Sequence, residues 1–275
     1  MKESEMAKKA WQGVFTPPCP GRSRKPRNTG LTMVIDKGLG NHALRDLVDT
    51  AKDYIDVIKL TFGTSAFYDH EVLARKIEVV RSSGIDIMPG GTFLEVALWQ
   101  NTLDKYLDGA LELGFTAVEV SDGTIDFGSA RRRDVILAAR DKGFKVISEV
   151  GKKDPAEAPS LEIIHQLIRE DLQNGAFKVI IEAREAGKGV GIFDQNGRTK
   201  QDEIDYILAG GVDVNDLIWE APLKNQQRDL ILRFGLNVNL GNVPPEEVMA
   251  LEALRQGLRG DTLKRAYLQS CSSKS

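Results

Sequence analysis

The strongest constraint on this chain is an alternation. Short apolar runs trade places with longer segments of helical period eight times between residues 30 and 257. The runs fall at 31–35, 54–60, 85–88, 116–120, 145 to about 150, 178–183, 217–219 and 237–240. Helical spacing follows each, at 41–52, 70–83, 103–113, 128–142, 160–174, 201–209, 224–234 and 245–257. Asn41 is placed to cap the first helix, and Gly114, Gly143 and Gly175 stop later ones. Eight strand–helix units predict a single (β/α)8 TIM barrel of parallel strands. An open doubly wound sheet would have fewer strands, and no GxGxxG follows the first one.

The barrel is expected over residues 30–263, with a proline-bearing tail over 1–29 and a second tail over 264–275. Pro17, Pro18, Pro20 and Pro26 break regular structure in the first tail, where Arg22, Arg24, Lys25 and Arg27 read as a solvated basic arm. A net charge of -3 gives no reason to expect nucleic acid, and no apolar run is long enough for a bilayer. Cys19 and Cys271 lie one in each tail, which suits a reducing, cytoplasmic setting and no disulfide framework. His42, His70 and His165 are scattered and form no zinc spacing or acyl-transfer triad. Nothing selects an oligomer symmetry, although barrels of this size associate often enough to allow a homo-oligomer.

In a barrel, chemistry gathers at the carboxyl ends of the strands. Those ends carry Asp36, Lys59, Gly90, Glu119, Asp122, Glu149, Lys153, Glu182, Arg184, Glu220, Asn239 and Asn242. A solvated salt-bridge rim would account for any one of them. A mouth holding both signs of charge suits an anionic substrate with a hard cation. Glu119, Glu149 and Glu182 are the expected oxygen ligands for Mg2+. Lys59, Lys153, Arg184 and Lys188 would neutralise carboxylate or phosphate, with Arg184 suited to a bidentate grip. Asp36 belongs to the same substrate-facing set. Asn239 and Asn242 would orient a ligand at the turn after the last strand, the usual phosphate seat of such barrels. The scarcity of aromatic residues argues against sugar chemistry.

These residues resemble the phosphosulfolactate synthase family from about residue 30 to 262. The likeness rests on Ile35-Asp36-Lys37-Gly38, Asp53-Tyr54-Ile55-Asp56, Gly63-Thr64-Ser65 and Pro89-Gly90-Gly91-Thr92. It continues through Val118-Glu119-Val120-Ser121-Asp122-Gly123, Glu149-Val150-Gly151-Lys152-Lys153, Glu182-Ala183-Arg184-Glu185 and Glu220-Ala221-Pro222. Asn237-Val238-Asn239-Leu240 and Gly257-Leu258-Arg259-Gly260-Asp261-Thr262 complete it. The resemblance implies a barrel enzyme, a carbon–sulfur lyase-type synthase. It would add sulfite to phosphoenolpyruvate with Mg2+ and give (2R)-phospho-3-sulfolactate, on the way to coenzyme M in methanogens and to sulfolactate elsewhere. The proton-donating lysine falls on Lys153, with Lys59 beside it. Crowding by Mg2+, Lys59 and Arg184 would lower the pKa of Lys153. Thr61-Phe62 stands where the family often carries Gly-Trp. Some relatives, among them heat-stress-associated plant proteins, set a non-catalytic, protein-binding role as the alternative. A barrel acting on another phosphorylated carboxylate is the third reading.

Overall fold

The computed structural model describes residues 9–184 and 186–272, and Glu185 and both chain ends lie outside the described residues. The strands are β1 (Thr32–Asp36), β2 (Val57–Leu60), β3 (Asp86–Pro89), β4 (Ala117–Val120), β5 (Lys145–Val150), β6 (Lys178–Ile181), β7 (Leu217–Glu220) and β8 (Leu240–Val243). The helices are α1 (Asn41–Ala51), α2 (His70–Arg81), α3 (Gly91–Trp99), α4 (Leu103–Leu113) and α5 (Gly128–Asp141). They continue with α6 (Leu161–Gln173), α7 (Gln201–Ala209), α8 (Lys224–Phe234), α9 (Val248–Arg255) and α10 (Gly260–Ser272). The eight strands form one parallel sheet in the order β3-β2-β1-β8-β7-β6-β5-β4, a (β/α)8 TIM barrel.

β3 and β4 stand at the two ends of that order, and Thr116 joins them. Its N–H donates to the Ile87 carbonyl at 3.2 Å, and its hydroxyl accepts the Ile87 N–H at 3.0 Å. One apolar cluster fills the space between sheet and helices. A smaller one, with Met33, Val57, Met88, Ala117, Ile147, Ile180 and Ile218, fills the barrel interior. Strand side chains alternate faces, so the residue two places on from each of these also points inward. Those residues include Lys59, Glu119, Glu149, Glu182 and Glu220. The barrel thus has an apolar lower layer and a charged upper one.

Several local expectations are corrected. α1 starts at Asn41, with Gly40 in the capping position and no side-chain cap. The segment after Gly90-Gly91 is helical, as α3, where no helix was read. The last strand begins three residues later than the apolar run suggested. Gly241 and Asn242 look like a turn in sequence but belong to β8. A Cβ at Gly241 would lie 2.7 Å from Met33 Cε, the tip of a flexible side chain, and 3.0 Å from Ile218 Cγ2, so a larger residue there would crowd the filled interior. Asn242 has φ 51°, and the β1–β8 register slips beside it, the mark of a β-bulge. The C-terminal segment runs on as α10 instead of fraying at residue 264. The basic arm is docked rather than solvated. Arg27 pairs with Asp56 at 2.9 Å, Arg22 with Glu252 at 3.1 Å, and the Ser23 hydroxyl donates to Asn237 at 3.0 Å.

Candidate active site

At the carboxyl ends of the strands a cavity of 260 Å3 opens. Lys59, Glu119, Glu149, Lys153, Glu182, Arg184, Glu220 and Asn242 line it together with Thr61, Phe62 and Gly90–Thr92. Three of the described non-glycine residues with left-handed backbone, Phe62, Arg184 and Asn242, stand on this rim. Such conformations cost free energy and persist where the surroundings hold them, commonly at functional sites. The Asn242 side-chain oxygen is buried without a hydrogen-bond partner, an acceptor open to a ligand.

Lys59 sits at the centre, buried, with its ammonium 2.6 Å from Glu119, 3.1 Å from Glu149 and 3.4 Å from Glu220. Burial opposes its charge, yet the three carboxylates outweigh burial and hold it well above the usual lysine value. Glu119 also accepts the Gly91 N–H at 2.8 Å. A Cβ at Gly91 would lie 2.6 Å from Ser121 Cβ, so only glycine lets α3 start this close to β4. Gly151 similarly lets the end of β5 pass Glu182; its φ is +124° and a Cβ would lie 2.7 Å from Glu182 Cβ.

The acids titrate as a group. Burial, then the charge of Glu149, pushes Glu119 up to about 7. Burial would raise Glu149 too, but Lys59, Lys153 and a hydrogen bond from Glu182 bring it down to about 2. Burial and the neighbouring Glu149 and Glu220 charges push Glu182 well above the carboxylate range. Burial also raises Glu220. One oxygen each from Glu149, Glu182 and Glu220 lies within 4.8 Å of the others. Among the described residues these three could hold a cation; Glu220 joins Glu149 and Glu182 there, while Glu119, expected in that set, lies outside the group and accepts the Gly91 N–H.

Lys153 extends from the loop after β5. Its ammonium donates to the Thr92 hydroxyl at 2.7 Å and lies 3.5 Å from Glu95. Burial lowers its pKa, but Glu149, Glu95, Glu119 and Glu182 together raise it above the ordinary value. In the metal-free protein acids outnumber cations around it; the lowering expected above includes the charge of a bound Mg2+. Arg184 donates to the Lys153 carbonyl at 3.3 Å.

Three expected ligand contacts fall elsewhere. Asn239 precedes β8 at the opposite end of the barrel, where it accepts the Leu31 N–H and donates to the Asn215 and Leu217 carbonyls. Asp36 pairs with Lys76 of α2 at 2.6 Å and accepts the Gly38 and Leu39 N–H groups, so it faces the helix layer. Lys188 is exposed in its loop and does not line the cavity. The turn after β8 also departs from the usual phosphate seat. Pro244 and Pro245 occupy the start of its helical turn, and proline has no N–H to give an anion.

A TIM barrel with a charged cavity at the carboxyl ends of its strands has the layout of the barrel enzymes, whose active sites lie at that face. The profile of the (2R)-phospho-3-sulfolactate synthase (ComA) family matches residues 20–261. The phosphosulfolactate synthase of Methanothermobacter thermautotrophicus is 44% identical over 256 residues, covering 92% of this chain and 98% of its own. That of Methanocaldococcus jannaschii is 47% identical, covering 85% and 93%, and that of Bacillus subtilis 38%, covering 90% and 98%. The chain belongs to the phosphosulfolactate synthase family and is an enzyme, a lyase-type synthase. Among solved structures it is similar in fold to thiamine phosphate pyrophosphorylase from Pyrococcus furiosus, with TM-score 0.52, 11% identity, and 85% and 98% coverage. A phosphonopyruvate hydrolase solved with oxalate and Mg2+ gives TM-score 0.51, 13% identity, and 83% and 80% coverage. Among the described residues no helix is long and apolar enough to cross a membrane.

Proposed function

We propose that this enzyme adds sulfite to phosphoenolpyruvate with Mg2+ and releases (2R)-phospho-3-sulfolactate. The observation that carries the reading is that Lys153 reaches the same cavity as Glu149, Glu182 and Glu220. The family's name supplies the product. The three acids fit a hard cation: all their donors are oxygens, all are buried, and burial together with its neighbours' charges drives Glu182 towards its protonated form. Bound there, Mg2+ would supply a Lewis acid for charge developing on a substrate carboxylate.

The chain's own residues account for the rest. The sulfur lone pair of sulfite forms a bond to the methylene carbon. The C2–C3 π pair moves onto C2 and into the carboxylate. Lys59 and Arg184 line the cavity with fixed positive charge as that carboxylate gains electrons. Lys153 gives its proton to C2 from one face, and the amine left behind regains a proton from water. In the metal-free protein the surrounding acids hold Lys153 above the ordinary lysine value, which favours the protonated, donor form. The free thiols of Cys19 and Cys271 support a cytoplasmic setting.

The test is sulfite-dependent loss of phosphoenolpyruvate in the presence of Mg2+. Lys153→Ala is expected to cut turnover by roughly 10^2 to 10^4, with the circular dichroism unchanged. Mg2+ is expected to raise the melting temperature of the wild type and to do so less for Glu220→Gln. A wild-type protein that consumes no phosphoenolpyruvate with sulfite and Mg2+ overturns the reaction.

A further inference from the structure

Glu95 is a carboxylate outside the cation group, so far used only as one of the acids around the Lys153 ammonium. It lies on α3, is 1% exposed, and is the kind of group a chain buries only at a cost. One of its oxygens accepts the backbone N–H groups of Thr124 and Ile125, at 2.9 and 2.7 Å. The other lies 3.5 Å from the Lys153 ammonium and 3.3 Å from the Ser121 hydroxyl. Ser121 in turn donates to Glu149 at 3.1 Å. Thr92, three residues earlier and so on the same face of α3, accepts the Lys153 ammonium at 2.7 Å. The lysine is held at its other end too. Its backbone N–H donates to the Gly123 carbonyl at 3.0 Å, and a Cβ at Gly123 would come within 3.3 Å of Lys153 Cε. Residues 121–125, bound by Glu95, therefore carry the platform on which the lysine stem lies.

We infer that Glu95, with Thr92 on the same turn of α3, is the positioning residue for Lys153: it fixes both the ammonium and the 121–125 loop under the stem, and so sets the face from which C2 receives its proton. The inference rests on the proton-donor reading of Lys153 given above. A donor held at two ends delivers to one face of a planar carbon, whereas a donor freed at its tip loses near-attack geometry. Glu95 touches no reacting atom in this scheme. Its effect belongs to kcat and to the stereochemical purity of the product, and not to the binding of phosphoenolpyruvate.

The experiment compares wild type, Glu95→Gln and Thr92→Val in the full chain. Glu95→Gln is expected to lower kcat by about 10^2-fold, to leave KM for phosphoenolpyruvate unchanged, and to yield a measurable share of the 2S product. Thr92→Val, which keeps the helix and the loop contacts of Glu95, is expected to move the same quantities less. In parallel, acylation of Lys153 by an amine-reactive reagent, read by peptide mass spectrometry, is expected to be several-fold faster in both variants. Unchanged kcat and a pure 2R product in folded Glu95→Gln would overturn the inference while leaving the reaction intact. Should wild type show no turnover, the reaction reading falls. The acylation rates then still decide whether Glu95 and Thr92 hold Lys153, and equal rates in all three proteins would refute it.

Discussion

Two glutamates on adjacent strands end with opposite ionisation, and the difference lies in what each one faces. Glu149 meets two lysines and a hydrogen bond from Glu182, and stays ionised down to about 2. Glu119 has the Lys59 pair as well, but burial and the Glu149 charge win, and it keeps its proton up to about 7. The two act on stability in opposite senses. Glu149 contributes stability above about 4.5, lost as pH falls towards about 2. Between about 4.5 and about 7 the folded state binds more protons than the unfolded chain through Glu119, so stability falls as pH rises there. Denaturant titrations of the metal-free protein should show that slope, to which the raised Glu182 and Glu220 also contribute, and Glu119→Gln should reduce it; the same slope in the variant would disprove the assignment. At this scale the sequence was legible for Lys59, Glu149 and Glu182, which stand at strand ends that line the cavity, but not for Asp36, which also ends a strand and turns to the helix layer. Glu220 was visible among the strand ends yet was not ranked as a ligand, because nothing in a linear chain tells which strand-end acids converge. Glu95 gave no signal, since it sits on α3, in the stretch after Pro89-Gly90-Gly91-Thr92 where no helix was read.

Among the elements, α5 does the most to set the end of β5. Arg132, 1% exposed, pairs with Asp171 of α6 at 2.6 Å and with Asp122 at 3.0 Å, and donates to the Glu149 carbonyl at 2.9 Å. Replacing it by methionine strands two acids, one fully buried. The expected loss is about 3–5 kcal/mol in urea unfolding, with the double variant Arg132→Met, Asp171→Leu recovering part of it. A loss confined to a few tenths would show that water replaces the pair. Helices with polar and apolar faces, such as α1 and α6, follow directly from periodicity. α3 does not, because it is apolar nearly all round and opens with Gly91 directly after a capping Gly90. β8 was displaced in the reading because the filled interior favours Gly241, and a glycine next to an asparagine imitates a turn.

For the molecule as a whole, the two ends of the barrel divide the work. The mouth holds the charged layer, while the far end is closed by the docked arm. Asp56 is 9% exposed and serves both Arg27 and the Thr32 N–H, the latter at 2.8 Å. Arg27→Ala is expected to cost about 3 kcal/mol or more in unfolding free energy while leaving kcat and KM near wild type, because the arm is remote from the cavity. A drop in kcat at full folding would show that the two ends communicate. The alternation of strands and helices made the barrel legible, whereas the docking of the arm depends on partners more than 200 residues away in the chain, such as Glu252 and Asn237. One feature of the closure reaches further. β3 and β4 meet through Thr116, and above that junction the links across the gap are Gly91 to Glu119, Glu95 to Ser121, and Thr92 to Lys153. Lys153, the proposed proton donor, and the two residues that hold it, Thr92 and Glu95, are thus part of the clasp of the collar. A descendant that abandoned catalysis would have to refasten it, so drift at the mouth is restrained by the architecture even when selection for turnover has lapsed.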